Sequence, residues 1–191
     1  MRSNSFQLAV VLAFVFGFAI FSFGQEKSNS IDCKSYRFPT DNDYKRAKVG
    51  GTEAQGGVFF YLKKFVEQCP DSPSIQQAKQ HFAISLEERA ETSLYIAKFY
   101  LKQYEEKQTG LKGAWARLRE VIEKYPQFSK LDEALFLLIK ANLYLDRLEG
   151  KNYEENLVES AKKTYKRLLA EFPFSPYICE ANKLFQPTQN K

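Results

Sequence analysis

Three ungapped copies of one pattern, each built around a proline, constrain this chain more than any other feature. They read FVEQCPDSPSIQQA from Phe65 to Ala78, VIEKYPQFSKLDEA from Val121 to Ala134, and LLAEFPFSPYICEA from Leu168 to Ala181. Counting from Pro70, Pro126 and Pro173, the eighth residue on is Ala78, Ala134 or Ala181, and the fifth is Ile75, Leu131 or Ile178. Upstream, the residue before each proline is Cys69, Tyr125 or Phe172, and four before stand Val66, Ile122 and Leu169. Eight before come Leu62, Leu118 and Tyr165, and twelve before come the small residues Val58, Ala114 and Ala161. In a helix of about 3.6 residues per turn these upstream positions share one face. The helix must end near the proline, because the residue before proline disfavours the α region. A second helix then starts. Ser72-Pro73 and Ser175-Pro176 read as N-cap serines with proline at the first helical position. Ser129 with Asp132 reads as a capping box with Asp in place of Glu.

Each unit is therefore an amphipathic helix, a proline turn and a second helix, and one unit cannot bury its own apolar face. Stacked units share a continuous core, so the expected fold is all-α: an α-solenoid of stacked antiparallel helix pairs. With 9 Gly and 7 Pro in 191 residues, there is little punctuation for an all-β chain, and the long stretches lacking both favour helices. A hydrophobic content of 44% beside 27% charged residues places the chain among globular proteins rather than disordered ones. Helices are predicted near 58–69, 73–84, 86–104, 112–125, 130–147, 154–172 and 176–185. Leu86, Ala90, Leu94, Ala97 and Leu101 form an apolar stripe on the third of these, and the run Leu135 to Ile139 marks 130–147 as the most buried helix. Gly50-Gly51 and Gly56-Gly57 are read as breaks in an irregular segment ahead of the first helix, and 105–111 and 148–153 as polar loops.

The N-terminus reads as an export signal. Arg2 is followed by an apolar run from Leu8 to Phe23, and Ser22-Phe23-Gly24 places small residues at the −3 and −1 positions of a cleavage site. A cleaved leader is favoured over a membrane anchor, since the run is short for a span. No lipidation motif is legible: the first cysteine, Cys33, lies ten residues past the run and follows Asp32. The expected organisation is a signal peptide at 1–24, an irregular segment at 25–56, a helical repeat domain at 57–186 and a tail at 187–191. Export implies an oxidising compartment, where disulfides persist. Of Cys33, Cys69 and Cys179, the candidate pair is Cys33 with Cys69, and Cys69 as a plain buried residue is the equal alternative.

Catalytic and cofactor chemistry finds no constellation. His81 is the single histidine and sits beside Phe82 in a predicted helix, the setting of a structural residue. The cysteines are too far apart for a zinc site, and the glycine pairs lack a phosphate-binding fingerprint. Glu87-Glu88 and Glu105-Glu106 are adjacent, so on a helix they point in different directions and suit a solvated face. A balance of 28 basic to 23 acidic residues, without a basic block, argues against nucleic acid. No enzyme, cofactor or metal is expected. Trp115 lies off the stripe of Ala114, Leu118, Val121 and Ile122. It is read either as an exposed interface anchor, replaceable by Ala without unfolding the chain, or as packing against the next hairpin.

The proline-ended helix pairs resemble tetratricopeptide repeats. More closely, AETSLYIAKFYLKQ (Ala90 to Gln103), then VIEKYPQFSKLDEALFLLIKANLYL, then LLAEFPFSPY is similar to the outer-membrane β-barrel assembly lipoprotein family of the BamD/YfiO type. The likeness runs over roughly residues 57–185 in that order. It implies a non-enzymatic, periplasm-facing scaffold at the outer membrane, working with a β-barrel insertase and other lipoproteins. Spacings of 56 and then 47 residues between the prolines depart from a repeat of about 34, so the intervening helices or loops are longer. Such stacks offer a groove for extended peptides or partner helices, here other proteins, the insertase or segments of outer-membrane proteins. Lys130, Lys140 and Tyr144, on the exposed side of helix 130–147, are the candidate groove contacts, with Trp115. The alternative function is an adaptor for another envelope assembly, such as peptidoglycan or pilus-secretin biogenesis.

Overall fold

In a computed structural model of the chain, the structure describes residues 33–34, 51–150 and 156–186. The leader, most of the 25–50 stretch and the C-terminal tail lie outside the described residues. Among the described residues six helices follow in order: α1 Gly51–Gln68, α2 Ile75–Lys107, α3 Leu111–Lys124, α4 Leu131–Glu149, α5 Leu157–Glu171 and α6 Tyr177–Leu184. There is no strand among the described residues. Each helix packs on its neighbour in sequence, and α4 also meets α2 and α6. The fold is the tetratricopeptide-like stack expected from the repeat.

The three proline turns are built by the same backbone hydrogen bonds. The N–H before each proline closes the helix: Cys69 donates to Phe65 O, Tyr125 to Val121 O and Phe172 to Leu168 O, at 2.9, 3.0 and 2.9 Å. The N–H two residues after the proline then reaches back to the residue before it: Ser72 to Cys69 O, Phe128 to Tyr125 O and Ser175 to Phe172 O. Finally Ile75, Leu131 and Ile178 donate to Ser72 O, Phe128 O and Ser175 O, turning the chain into the second helix. Proline occupies the position whose N–H this ladder does not use.

The core follows the repeat positions. Phe65, Val121 and Leu168, five before the prolines, and Ala78, Ala134 and Ala181, eight after, are all fully buried. Alanine at these positions leaves no side chain to hold the paired helices apart. The four-before position varies between copies: Val66 is half-buried, Ile122 is buried in the middle unit, and Leu169 of the last unit is exposed. The stripe Ala90, Leu94, Ala97 and Leu101 is buried, and Leu135, Phe136, Leu138 and Ile139 make α4 the central helix of the main cluster. Phe136 stacks on Tyr177 at 5.2 Å between centroids, joining α4 to α6. At the other end Phe65, Cys69 and Ala78 form a small separate cluster, with Cys33 packed against it and joined to Cys69 by a disulfide. Cys179 is free and exposed.

Three local expectations are corrected. Residues 75–107 are one continuous helix rather than two, because no Gly or Pro interrupts them. Ser85, at the expected break, instead donates its hydroxyl to Phe82 O at 2.8 Å within the helix. At about 1.5 Å per residue this helix spans roughly 50 Å, and its length accounts for the wider spacing between the first two prolines. Second, Gly56-Gly57 does not break the chain; α1 already begins at Gly51 and runs through it. Third, the Ser129–Asp132 capping box does not form. The Ser129 N–H and hydroxyl both donate to the Glu87 carboxylate of α2, and Asp132 Oδ2 accepts from Ser175 Oγ at 2.7 Å. Both residues thus tie one unit to another, while Asp132 Oδ1 also accepts the N–H of Glu133 in its own helix at 2.8 Å. Ser72 and Ser175 do act near helix starts, accepting the N–H of Ser74 and Tyr177, each at 3.3 Å, although the helices begin two residues and one residue later than expected.

Leu118 is fully buried on α3 at the eight-before position. Leu118→Ala should destabilise the protein by about 2–5 kcal/mol, seen as a lower urea midpoint at an unchanged slope.

Candidate functional site

Two surfaces carry polar features that the repeat itself does not require. The first is the face on which α2 meets α4. Glu91, Lys98 and Glu105 project from α2 at helical spacing and pair with Lys130, Glu133 and Lys140 across the helix contact. The distances are 2.8 Å for Lys130–Glu91, 2.6 Å for Lys98–Glu133 and 2.5 Å for Lys140–Glu105. Tyr95 shares this stripe of α2, four residues after Glu91 and three before Lys98, and is 70% exposed. Phe99, one turn further, is also exposed.

The candidate groove residues sit on or near this face, but less openly than expected. Lys130 is exposed and stands at the start of α4; the Glu91 carboxylate that hydrogen-bonds it raises its pKa, with Glu133 and Glu87 adding to the effect. Lys140 is half-buried. Burial opposes its charge, and the hydrogen bond to Glu105 outweighs that with help from neighbouring groups, so its pKa is raised. Tyr144 is half-buried too, its ring 5.3 Å from that of Tyr104 on α2. All three are therefore engaged with α2 or its charges. The exposed aromatics Tyr95 and Phe99 were not singled out from sequence, because the apolar stripe of α2 drew attention to its opposite, buried side.

The second surface is a groove of about 290 Å³ between α3 and α5, floored by α4. Helices α3 and α5 do not pack on each other, which leaves the gap open. Trp115 lies in its α3 wall, half-buried rather than exposed, with the Arg119 guanidinium 4.7 Å over its ring. The Trp115 indole N–H donates to Asn142 Oδ1 at 2.8 Å. Asn142 is fully buried, and its Nδ2 has no acceptor. The amide orientation follows from chemistry: an indole nitrogen only donates, so the oxygen of Asn142 must face it and the NH₂ must face away. A buried donor left unsatisfied costs about 1–3 kcal/mol. Sequence reading did not mark Asn142. The available signal was a lone amide inside the otherwise apolar α4 run.

Elsewhere, Glu120 lies between Arg117 at 2.8 Å and Lys124 at 3.1 Å. Partial burial pushes its carboxyl up, but the hydrogen bonds and charges of Lys124 and Arg117 win, so its pKa is below the ordinary 4.5. His81 is half-buried on α2. Among the described residues no group of acidic, histidine or cysteine side chains is arranged to hold a metal, and no helix is long and apolar enough to cross a membrane.

Residues 37–157 match the model of the YfiO family, described as outer membrane lipoprotein. The match takes in the first two proline units and stops at the start of α5, so the third unit is identified by its own turn bonds and burial. Comparison with curated proteins finds no match, and neither does comparison with solved structures.

Two outcomes follow from this geometry. Trp115→Phe keeps most of the ring but strips the buried Asn142 oxygen of its donor. It should destabilise the fold by about 1–3 kcal/mol in urea denaturation followed by circular dichroism. For Glu120 the folded pKa is the lower one, so its contribution is complete above the ordinary value of 4.5 and is lost as pH falls through the folded value. Glu120→Gln should therefore flatten the fall of melting temperature with acid below that pH.

Proposed function

This chain belongs to the YfiO family of outer membrane lipoproteins, which are exported and act in envelope assembly at the periplasmic face of the outer membrane, and from this we propose that it is a non-enzymatic protein-binding scaffold for outer-membrane β-barrel assembly. The family match is the observation that carries this reading. The stack supports it physically. A solenoid with long helices side by side presents side chains in rows, and extended or helical protein segments dock along such rows. The proposed partners are a β-barrel insertase and segments of outer-membrane proteins.

The proposed contact face is the one where α2 meets α4. There Lys130, Lys140 and Tyr144 frame the exposed Tyr95 and Phe99 of α2. Their part is to set the polar surround, since the lysines are already paired with α2 carboxylates. The exposed aromatics supply apolar area, the arrangement found at protein interfaces with an aromatic centre and polar rim. Trp115 is assigned to the groove between α3 and α5 rather than to this face.

Whole-cell crosslinking followed by mass spectrometry should recover the insertase with the wild-type chain. Tyr95→Ala with Phe99→Ala should weaken that capture by about tenfold, as loss of interface anchors does, with an unchanged melting temperature because both rings are exposed. Recovery of peptidoglycan or secretin components in place of the insertase would reject barrel assembly as the role.

A further inference from the structure

We infer that the groove between α3 and α5 is a binding site for an acidic side chain of a partner polypeptide, held between a basic rim and the spare amide N–H groups of Asn142. This deepens the protein-binding reading but uses a different face from the one proposed above, so either can fail alone.

Three observations carry it. First, Asn142 is fully buried, lines the groove and has both N–H bonds of Nδ2 without an acceptor. Its oxygen is committed to Trp115, so what is missing is specifically an acceptor. Second, the groove walls bear Arg119, Lys163 and Arg167 against one carboxylate, Glu123. Arg119 is paired with Glu123 at 3.3 Å and Arg167 with Glu171 at 2.8 Å, whereas Lys163 is exposed and has no ion-pair partner among the described residues. A carboxylate entering the groove meets a net positive rim, and charge complementarity of this kind selects partners. Third, the lining is largely apolar, with Trp115, Ile122, Leu135 and Leu138 beneath the charges. A volume of about 290 Å³ admits a glutamate side chain with an apolar neighbour, and sits at the small end of ligand-sized pockets.

Other groups suit this chemistry less well. The hydroxyl of Thr164 is already donated to Ser160 O at 2.8 Å, so it adds no donor. A phosphate group would call for several converging donors, and the deep end offers a single neutral amide over apolar walls. An acidic residue in a peptide uses all three features together: its carboxylate takes the amide and Lys163, and the residue beside it covers the apolar lining.

The chain holds a single tryptophan, Trp115, and it stands in the groove wall, so its fluorescence reports occupancy directly. The test titrates the purified full chain with the capped peptide acetyl-Leu-Glu-Phe-amide and with its Gln counterpart, exciting tryptophan alone. The Glu peptide should give a saturable change, and the Gln peptide should bind about tenfold more weakly. Lys163→Glu should weaken the Glu peptide by about tenfold or more while leaving circular dichroism and melting temperature unchanged, since Lys163 is exposed. Asn142→Leu should abolish the difference between the two peptides. If that variant does not fold, Lys163→Glu still decides the matter. Equal response to both peptides, indifference to Lys163→Glu, displacement by inorganic phosphate at matching concentration, or tighter binding of a Gln peptide whose only carboxylate is its C-terminus would each overturn the assignment.

Discussion

A proline that lacks an N–H, placed where the backbone ladder has none to spend, governs this molecule. In each turn the residue before it closes the preceding helix, and the next two bonds fold the chain back by a fixed path. Because the same three bonds recur at Pro70, Pro126 and Pro173, the paired helices leave each turn in the same relation. Alanine eight residues later is then fully buried in all three copies. A larger side chain there would wedge the pair apart, at a cost of about 1–3 kcal/mol from overpacking alone.

Repetition of the turn also explains how the units hold one another. The apolar face of one pair is covered by the next, and α4, with neighbours on several sides, is the most apolar helix of the stack. Burial falls away where coverage ends: Leu169 and Phe174 of the last unit are exposed, the latter almost completely. Polar bonds fix the register between units. Glu87 of α2 receives Ser129 in the second turn, and Asp132 of α4 receives Ser175 in the third. Three ion pairs between α2 and α4 add to this alignment. Each exposed pair is worth little alone, at most about 1 kcal/mol, so their role is to align rather than to hold.

The proposed contacts sit where the repeat rule is broken. The turns and alanines are common to every unit and say only that a stack forms; the same stack serves many partners. What distinguishes this chain is particular. Tyr95 and Phe99 are aromatics on the outside of a long helix, and Asn142 is an amide inside an apolar one. The opening between α3 and α5 exists because second helices lie side by side while those first helices do not touch. A polar residue placed at the base of that opening is costly to the fold unless something completes its hydrogen bonds.

Periodicity and proline placement were enough to determine the all-helical class, the three proline turns and most of the buried positions beside them, because those depend on local sterics and on which residues share a side of one helix; they did not show that 75–107 is one helix or that the first begins at Gly51. The likeness of the Ala90 to Gln103 helix and of the proline phrases to barrel-assembly lipoproteins was equally legible, and the family match bears it out. Sequence reading misplaced Ser85 as a break and the Ser129–Asp132 pair as a cap, since each was judged by its neighbours in the chain. Tertiary structure alone decided that Ser129 and Asp132 bond other units, that Trp115 faces Asn142, and that Lys130 and Lys140 are held by α2. These pairings join residues 27 to 43 positions apart, so no local pattern encodes them. They arise only when helix packing sets which side chains meet and which buried group is left without a partner.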